Sequence, residues 1–390
     1  MPEQLTVSGL RDAILNLPTP QITGIANYGR GRQGVIPLWF GESDQPTPSF
    51  ICDAAAASLR QGFTHYTPKR GIPELRGALS VYMEGLYGKP IDVDRITVTT
   101  SAMNAIMMIL QAVADPGSNV VFVTPLWSNP QAAAAIIGAE PREVPLDADA
   151  DAQRFLDIEK LLARVDDKTV ALFVNTPNNP TGWMMEREQM RELVAFCRKR
   201  GIWLIADEVY CRLVFDRKVA PSFLEVSEAE DRLVVINSFS KTWSMTGWRL
   251  GWLTTPADIG PSLEAINEYN TSGATSFVQA AGVTAVREGE PFIRQSVDLL
   301  RENRDLVYKM LSGVRRIRLP LPRATFYAFF AVDSELDSLS LARHLIDEAG
   351  VGLAPGSAFG AGGEGSLRLC FASQRATVEE ASRRLAKAFS

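Results

Sequence analysis

Metal-binding side chains are scarce in this chain. It carries two histidines and four cysteines, at 52, 197, 211 and 370, and no two cysteines stand at the spacing of a zinc or dithiol motif. No metal site is expected, and the thiols are expected to be reduced and mostly buried. Basic charge is also short: 40 Lys and Arg against 45 Asp and Glu leave a formal charge of −5. That balance offers no footprint for nucleic acid or an anionic membrane. Long apolar runs are missing, and the N-terminus has no basic start leading into an apolar core. Neither a membrane span nor a secretory signal is expected, so the cytoplasm is the expected location. Repeats, low-complexity tracts and long linkers are absent as well. What remains is a chain of 390 residues, long for one hydrophobic core and expected to divide into domains.

The most informative stretch is Ser238-Phe239-Ser240-Lys241-Thr242-Trp243-Ser244-Met245-Thr246-Gly247-Trp248-Arg249. Leu233-Val234-Val235-Ile236 reads as a buried strand running into it, and Arg249-Leu250-Gly251-Trp252-Leu253 as a strand leaving it. Lys241 then lies at a strand end, where α/β sheets place ligands. Its amine can form a Schiff base with an aldehyde, while Ser238, Ser240 and Arg249 supply phosphate donors on either side. The implied cofactor is pyridoxal 5′-phosphate.

Two further apolar runs end in polar motifs. Val170 to Val174 leads into Asn175-Thr176-Pro177-Asn178-Asn179-Pro180-Thr181-Gly182, and Ile202 to Ala206 leads into Asp207-Glu208-Val209-Tyr210. Taken singly, the first is good turn chemistry and the second could be ordinary acids at a helix start. With the lysine motif and Ser366-Leu367-Arg368-Leu369-Cys370-Phe371-Ala372, they form four separated motifs in order. In these the chain resembles the fold type I, class I/II aminotransferases, and the resemblance covers nearly the whole sequence.

The resemblance implies an α/β fold with a large domain, built on a mostly parallel seven-stranded sheet covered by helices, and a smaller α+β domain built from both termini. The expected partition is an N-terminal segment 1–45 packing with the small domain, a large domain 46–288 and a small domain 289–390. Alternating strand and helix patterns from about residue 50 to 285 agree with it. So does an amphipathic helix expected from Pro291 to Ser312, with Ile293, Val297, Leu300, Val307 and Leu311 near one face.

Roles follow for named residues. Lys241 is expected to carry the cofactor and act as general base; Asp207 to face the ring nitrogen; Asn179 and Tyr210 to bond the ring's phenolic oxygen; Trp127 to stack on the ring. Ser101, Ala102 and Met103, at the start of an expected helix, complete the phosphate cup, although many relatives carry glycine near there. Tyr66 is expected to reach the phosphate of a neighbouring subunit, making a homodimer. Arg368 is expected to grip the substrate α-carboxylate, because a guanidinium can bond both oxygens, with Gly41 contributing backbone nearby.

The implied reaction moves an amino group between an L-amino acid and a 2-oxo acid by a ping-pong route. Relatives acting on aspartate place a cation for the distal carboxylate, in one branch at the position of Met103, in another after the cofactor arginine. Residues 250–286 contain neither Arg nor Lys, so neutral or aromatic substrates are expected, with Lys69, Arg70, Arg30 and Arg32 the cations that could overturn this. A carbon–sulfur β-lyase on the same fold is the alternative. A cofactor-binding transcriptional regulator is less expected, since no DNA-binding module precedes the region and the charge is acidic.

Overall fold

The computed structural model describes residues 9–390; the first eight residues of the expected 1–45 segment lie outside them. Seven strands form the main sheet: β1 (Ile96–Thr99), β2 (Asn119–Thr124), β3 (Glu140–Pro145), β4 (Thr169–Asn175), β5 (Trp203–Asp207), β6 (Leu233–Ser238) and β7 (Gly251–Thr254). Their order is β1-β7-β6-β5-β4-β2-β3, and only β7 runs antiparallel to its neighbours. The apolar runs are buried on both faces. Val121 and Val123 join one core cluster with Leu79 and Leu193, while Val120 and Phe122 point the other way into a cluster with Ile106 and Ile109. Alternate side chains of a strand face opposite sides of a sheet, so such runs form only where helices cover both.

A second, antiparallel sheet joins Ile317–Arg318, Tyr327–Val332, Ser366–Cys370 and Ala354–Pro355 in that order. It packs with the helices Ser338–Ala349 and Arg375–Phe389 around a separate cluster that includes Leu345, Leu367 and Val378. Ile25, Leu38 and Trp39 belong to this cluster, and Ile36–Pro37 pairs in parallel with Val351–Gly352. The long amphipathic helix runs from Glu290 to Leu311, one residue earlier at each end than its periodicity suggests.

One local expectation changes. Arg249 is not strand: a 3-10 turn at Thr246–Trp248 precedes it, and its φ of 55° in the left-handed region turns the chain before β7 starts at Gly251. Asp207-Glu208 lead into a tight turn, with Cys211 N–H bonded to Glu208 C=O at 2.9 Å, so they are not acids at a helix start. All four cysteines are free, Cys52 exposed and the others buried. Among the described residues no helix is long and apolar enough to cross a membrane.

Candidate active site

Six parallel strands bring their carboxyl ends to one edge of the sheet, and register does the rest. Asn175 pairs with Asp207, and Gly251 lies between Ser238 and Thr99. A cavity of about 450 Å³ opens above this edge. Asn179, Asp207, Tyr210, Ser238, Ser240 and Lys241 line it from the strand ends; Ala102, Met103, Trp127 and Arg249 line it from the flanking turns; Gly41 and Arg368 close it from the second module. Residues far apart in the chain thus meet in one space. Tyr66 does not join them: it stands 88% exposed, its ring 5.1 Å from Lys69 Nζ.

Lys241 sits in the short helix Phe239–Thr242, and its Nζ donates to Gly41 O at 2.6 Å. Burial, with Arg368 adding to it, pulls the ammonium down to about 8 against the opposing pull of Cys370, Glu42 and Asp207. Asp207 is the complementary case. Its buried carboxylate accepts one backbone N–H, from Val209 at 3.2 Å, and burial pushes it up to about 7. No ion pair neutralises it among the described residues. Glu208 turns away and accepts the Phe223 N–H at 2.9 Å, so only the first acid of the pair faces the cavity.

Arg368 is 2% exposed. Its Nη1 donates to Asn179 Oδ1 at 2.9 Å, its Nη2 to Trp39 O, and its plane lies 4.5 Å from the Tyr327 ring centre. Its Nε has no partner, and no carboxylate pairs with it among the described residues. A buried guanidinium without a counter-ion is costly unless an anion joins it. Asn179 is itself held, its N–H on Asn175 Oδ1 at 2.7 Å, while Asn175 Nδ2 reaches Asp207 O at 3.0 Å. Tyr210 and Tyr327 share a hydroxyl contact of 2.9 Å, and burial pushes the Tyr210 phenol well up.

The opposite end of the cavity is a cluster of donors. Ser101 caps the helix Ala102–Val113 through Oγ on Asn104 N–H at 3.0 Å, which leaves the first-turn amides of Ala102 and Met103 to the cavity side. Ser238 caps the lysine helix in the same manner, accepting from Ser240 N–H at 3.1 Å. Gly251 permits their approach: a Cβ there would lie 2.8 Å from Ala102 N and 2.9 Å from Asn237 O. An uncompensated carboxylate, a buried amine of lowered basicity and a cup of helix amides, hydroxyls and Arg249 fit a phosphorylated pyridine aldehyde.

Several residues of the site are not expected from the sequence. Asn175 carries a signal that could have found it, as a polar residue ending a buried strand beside Asp207. Tyr327, and the stretch Pro20 to Thr23 that also lines the cavity, carry no local signal.

Comparison with known proteins places the chain. The model of aminotransferase class I and II matches residues 33–385. The aspartate aminotransferase of Pyrococcus horikoshii is 30% identical over 97% of both chains, and the aromatic-amino-acid aminotransferase 2 of Thermococcus litoralis is 32% identical over 97% of both. Among solved structures, that of the Thermotoga maritima aspartate aminotransferase superposes with a TM-score of 0.90 at 32% identity, covering 97% of this chain and 99% of that one. Fold and site together define an enzyme, a transferase of nitrogenous groups (EC 2.6.1.-). The chain belongs to the aminotransferase class I and II family, whose members are pyridoxal-phosphate-dependent.

Proposed function

We propose that this aminotransferase moves the amino group between a neutral or aromatic L-amino acid and a 2-oxo acid by a ping-pong route, with pyridoxal phosphate attached at Lys241. The observation that carries the reading is a buried Arg368 guanidinium without an ion-pair partner among the described residues, lining the same cavity as a buried amine and a buried carboxylate. Bound there, the cofactor supplies an aldehyde carbon for amine exchange and a ring that accepts the electron pair of the broken Cα–H bond. The chain's residues supply the rest. Asp207 holds a protonated ring nitrogen by opposite charge. Asn179 and Tyr210 donate to the phenolic oxygen, and Trp127 packs beside the ring. The amides of Ala102 and Met103, the Ser101, Ser238 and Ser240 hydroxyls and the Arg249 guanidinium take the phosphate. Arg368 bonds both α-carboxylate oxygens near the Gly41 backbone. Its hold on Asn179 and Trp39 fixes the plane in which the carboxylate sits, which aims the α-hydrogen at Lys241 Nζ. With its basicity lowered, that Nζ takes the α-proton and delivers it to the neighbouring carbon.

For the substrate side chain, the cations offer a criterion. Those lining the cavity are Lys241, Arg249 and Arg368, each already assigned. Lys69 is tied to Glu268 at 2.9 Å and Ser272 O at 3.0 Å, Arg70 to Thr97 Oγ1 at 3.1 Å, and Arg32 to Asp347; Arg30 is exposed. Lys69, Arg70 and Arg32 are thus engaged away from the cavity, and Arg30 does not line it. The relatives carry both aspartate and aromatic names, so the names alone do not choose. We further propose a homodimer in which the exposed Tyr66 enters the neighbouring site, and a partition into 1–45, 46–288 and 289–390.

The test is a panel of amino acids given to the cofactor-loaded enzyme without an oxo acid. A single, stoichiometric change of the visible absorbance, with turnover only on adding a 2-oxo acid, is expected. Continuous release of pyruvate and ammonia would instead mark a β-lyase. Preference for aspartate over alanine, leucine and phenylalanine in single turnover would sink the substrate reading.

A further inference from the structure

Glu143 stands on the edge strand β3, outside the cavity lining, yet its two oxygens hold two different walls of that cavity. Oε2 accepts the Ala361 N–H at 2.8 Å, and Oε1 accepts from Nε2 of the buried Gln131. Gln131 belongs to the helix Asn129–Ile137, and both Asn129 and the preceding Ser128 line the cavity. Ala361 follows the turn Gly356–Phe359, whose Ala358 lines the cavity from the other module. The same two walls are joined a second time by Leu126 N–H on Phe359 O at 2.8 Å.

The backbone at this junction suits close approach and little else. Gly360 has φ +79°, and a Cβ there would stand 2.6 Å from Glu143 Oε1. A Cβ on Gly356 would meet Gly363 O at 1.9 Å. The far side of the loop is bolted too, Glu364 accepting from Ser338 N–H at 2.7 Å and Ser338 Oγ at 2.9 Å. Glu143 has no ion-pair partner among the described residues, so its two bonds run to neutral groups. A surface glutamate serving only solubility would not need two neutral partners from opposite modules and a glycine cut to its shape.

We propose that Glu143 is a positioning residue: it clamps the 356–363 loop to the helix Asn129–Ile137, and so sets the gap between the walls that receive the substrate side chain. This rests on the reading of the cavity as an amino-acid site. Arg368, a short way beyond the loop, is held independently by Asn179 and Trp39. Loosening the clamp therefore acts on substrate fit before it acts on chemistry.

Two measurements test it. In the apoprotein, hydrogen exchange across 356–365 reads the Ala361 N–H directly. With loaded enzyme and a bulky amino acid, kcat and KM are separated. Glu143→Ala removes both bonds and is expected to speed the exchange and to raise KM about tenfold, with kcat within about twofold, a change of the size of one hydrogen bond to a charged acceptor. Glu143→Gln is expected to restore both, because the Gln131 amide can turn and donate or accept as needed. Gln131→Ala, which unties only the helix, serves if Glu143→Ala fails to fold, and should raise KM without speeding the loop exchange as much. Unchanged exchange in Glu143→Ala, a fall in kcat with KM constant, or a Glu143→Gln variant as impaired as Glu143→Ala would each overturn the clamp. Absence of amino transfer in the wild-type enzyme would overturn the functional reading instead and leave the exchange result to judge the clamp.

Discussion

At the residue scale, two acid–base groups of the cavity are displaced from their ordinary ranges by the same cause. Burial lowers Lys241 to about 8 and raises Asp207 to about 7, since both lose hydration of the charged form. For a lysine the sign means that the amine is mostly protonated below 8 and free above it, and only the free amine attacks an aldehyde. Uptake of pyridoxal phosphate by apoprotein should therefore rise about tenfold per pH unit up to about 8 and then level off; a rise continuing towards 10.5, the ordinary lysine value, would show a solvated amine. Lys241→Ala should keep cofactor through the remaining contacts yet lose most turnover, and borohydride with peptide mapping of wild type should tag Lys241. Asp207→Asn keeps the shape and removes the charge. Losing a preorganised charge contact of about 3 kcal/mol costs about 10²-fold in rate, so near-normal turnover would place the ring nitrogen elsewhere. Arg368→Ala should lower kcat/KM for every amino acid alike, on the order of 10²-fold for charged hydrogen bonds, whereas selective loss on acidic substrates would show that Arg368 reads a side chain.

At the scale of elements, the phosphate cup depends on how closely the helix Ala102–Val113 can rest against β7. Gly251 is the point of contact, and the atoms a Cβ would meet are backbone, which cannot rotate aside. Gly251→Ala should displace the helix start, cost about 1–3 kcal/mol in stability and weaken binding of pyridoxal phosphate more than that of pyridoxal, as titration of both into apoprotein would read. Equal loss for the two would locate the damage outside the phosphate end. Gly41 is constrained in the same manner from the other module, its missing Cβ being 2.0 Å from the Tyr327 hydroxyl. The strand beginning at Gly251 rather than Arg249 belongs here too. Leu250, Trp252 and Leu253 following Arg249 suggest continuous strand, but a left-handed residue at 249 is a turn that pattern alone does not reveal.

At the scale of the whole molecule, the fold positions residues for one cavity from strand ends, from the N-terminal segment and from Arg368 on the second sheet. Of the expected site residues, Ser101 and Tyr66 do not line the cavity: Ser101 caps the helix beside it, while the exposed Tyr66 stands apart, and its role turns on a second copy of the chain. Mixing Lys241→Ala with Tyr66→Ala chains should regenerate one complete site in each mixed dimer and recover about a quarter of wild-type activity under random pairing. No recovery, with mixed dimers demonstrated, would confine Tyr66 to its own chain.

Lys241, Asp207, Asn179 and Arg368 are legible in the amino-acid sequence because each follows or lies within a buried apolar strand, and strand ends are where an α/β sheet presents chemistry. The mostly parallel sheet is legible for a related reason, since runs of Val, Ile and Leu without alternation demand cover on both faces. These are local properties, written in consecutive residues. Tertiary structure decided the others. Tyr327 beneath Gly41, Asn175 bracing Asn179, the unpaired Nε of Arg368 and the two-sided grip of Glu143 arise from side chains distant in sequence. Their meeting depends on strand order, crossover and the angle between modules, and no periodicity in the chain encodes which polar atom a buried polar atom will find.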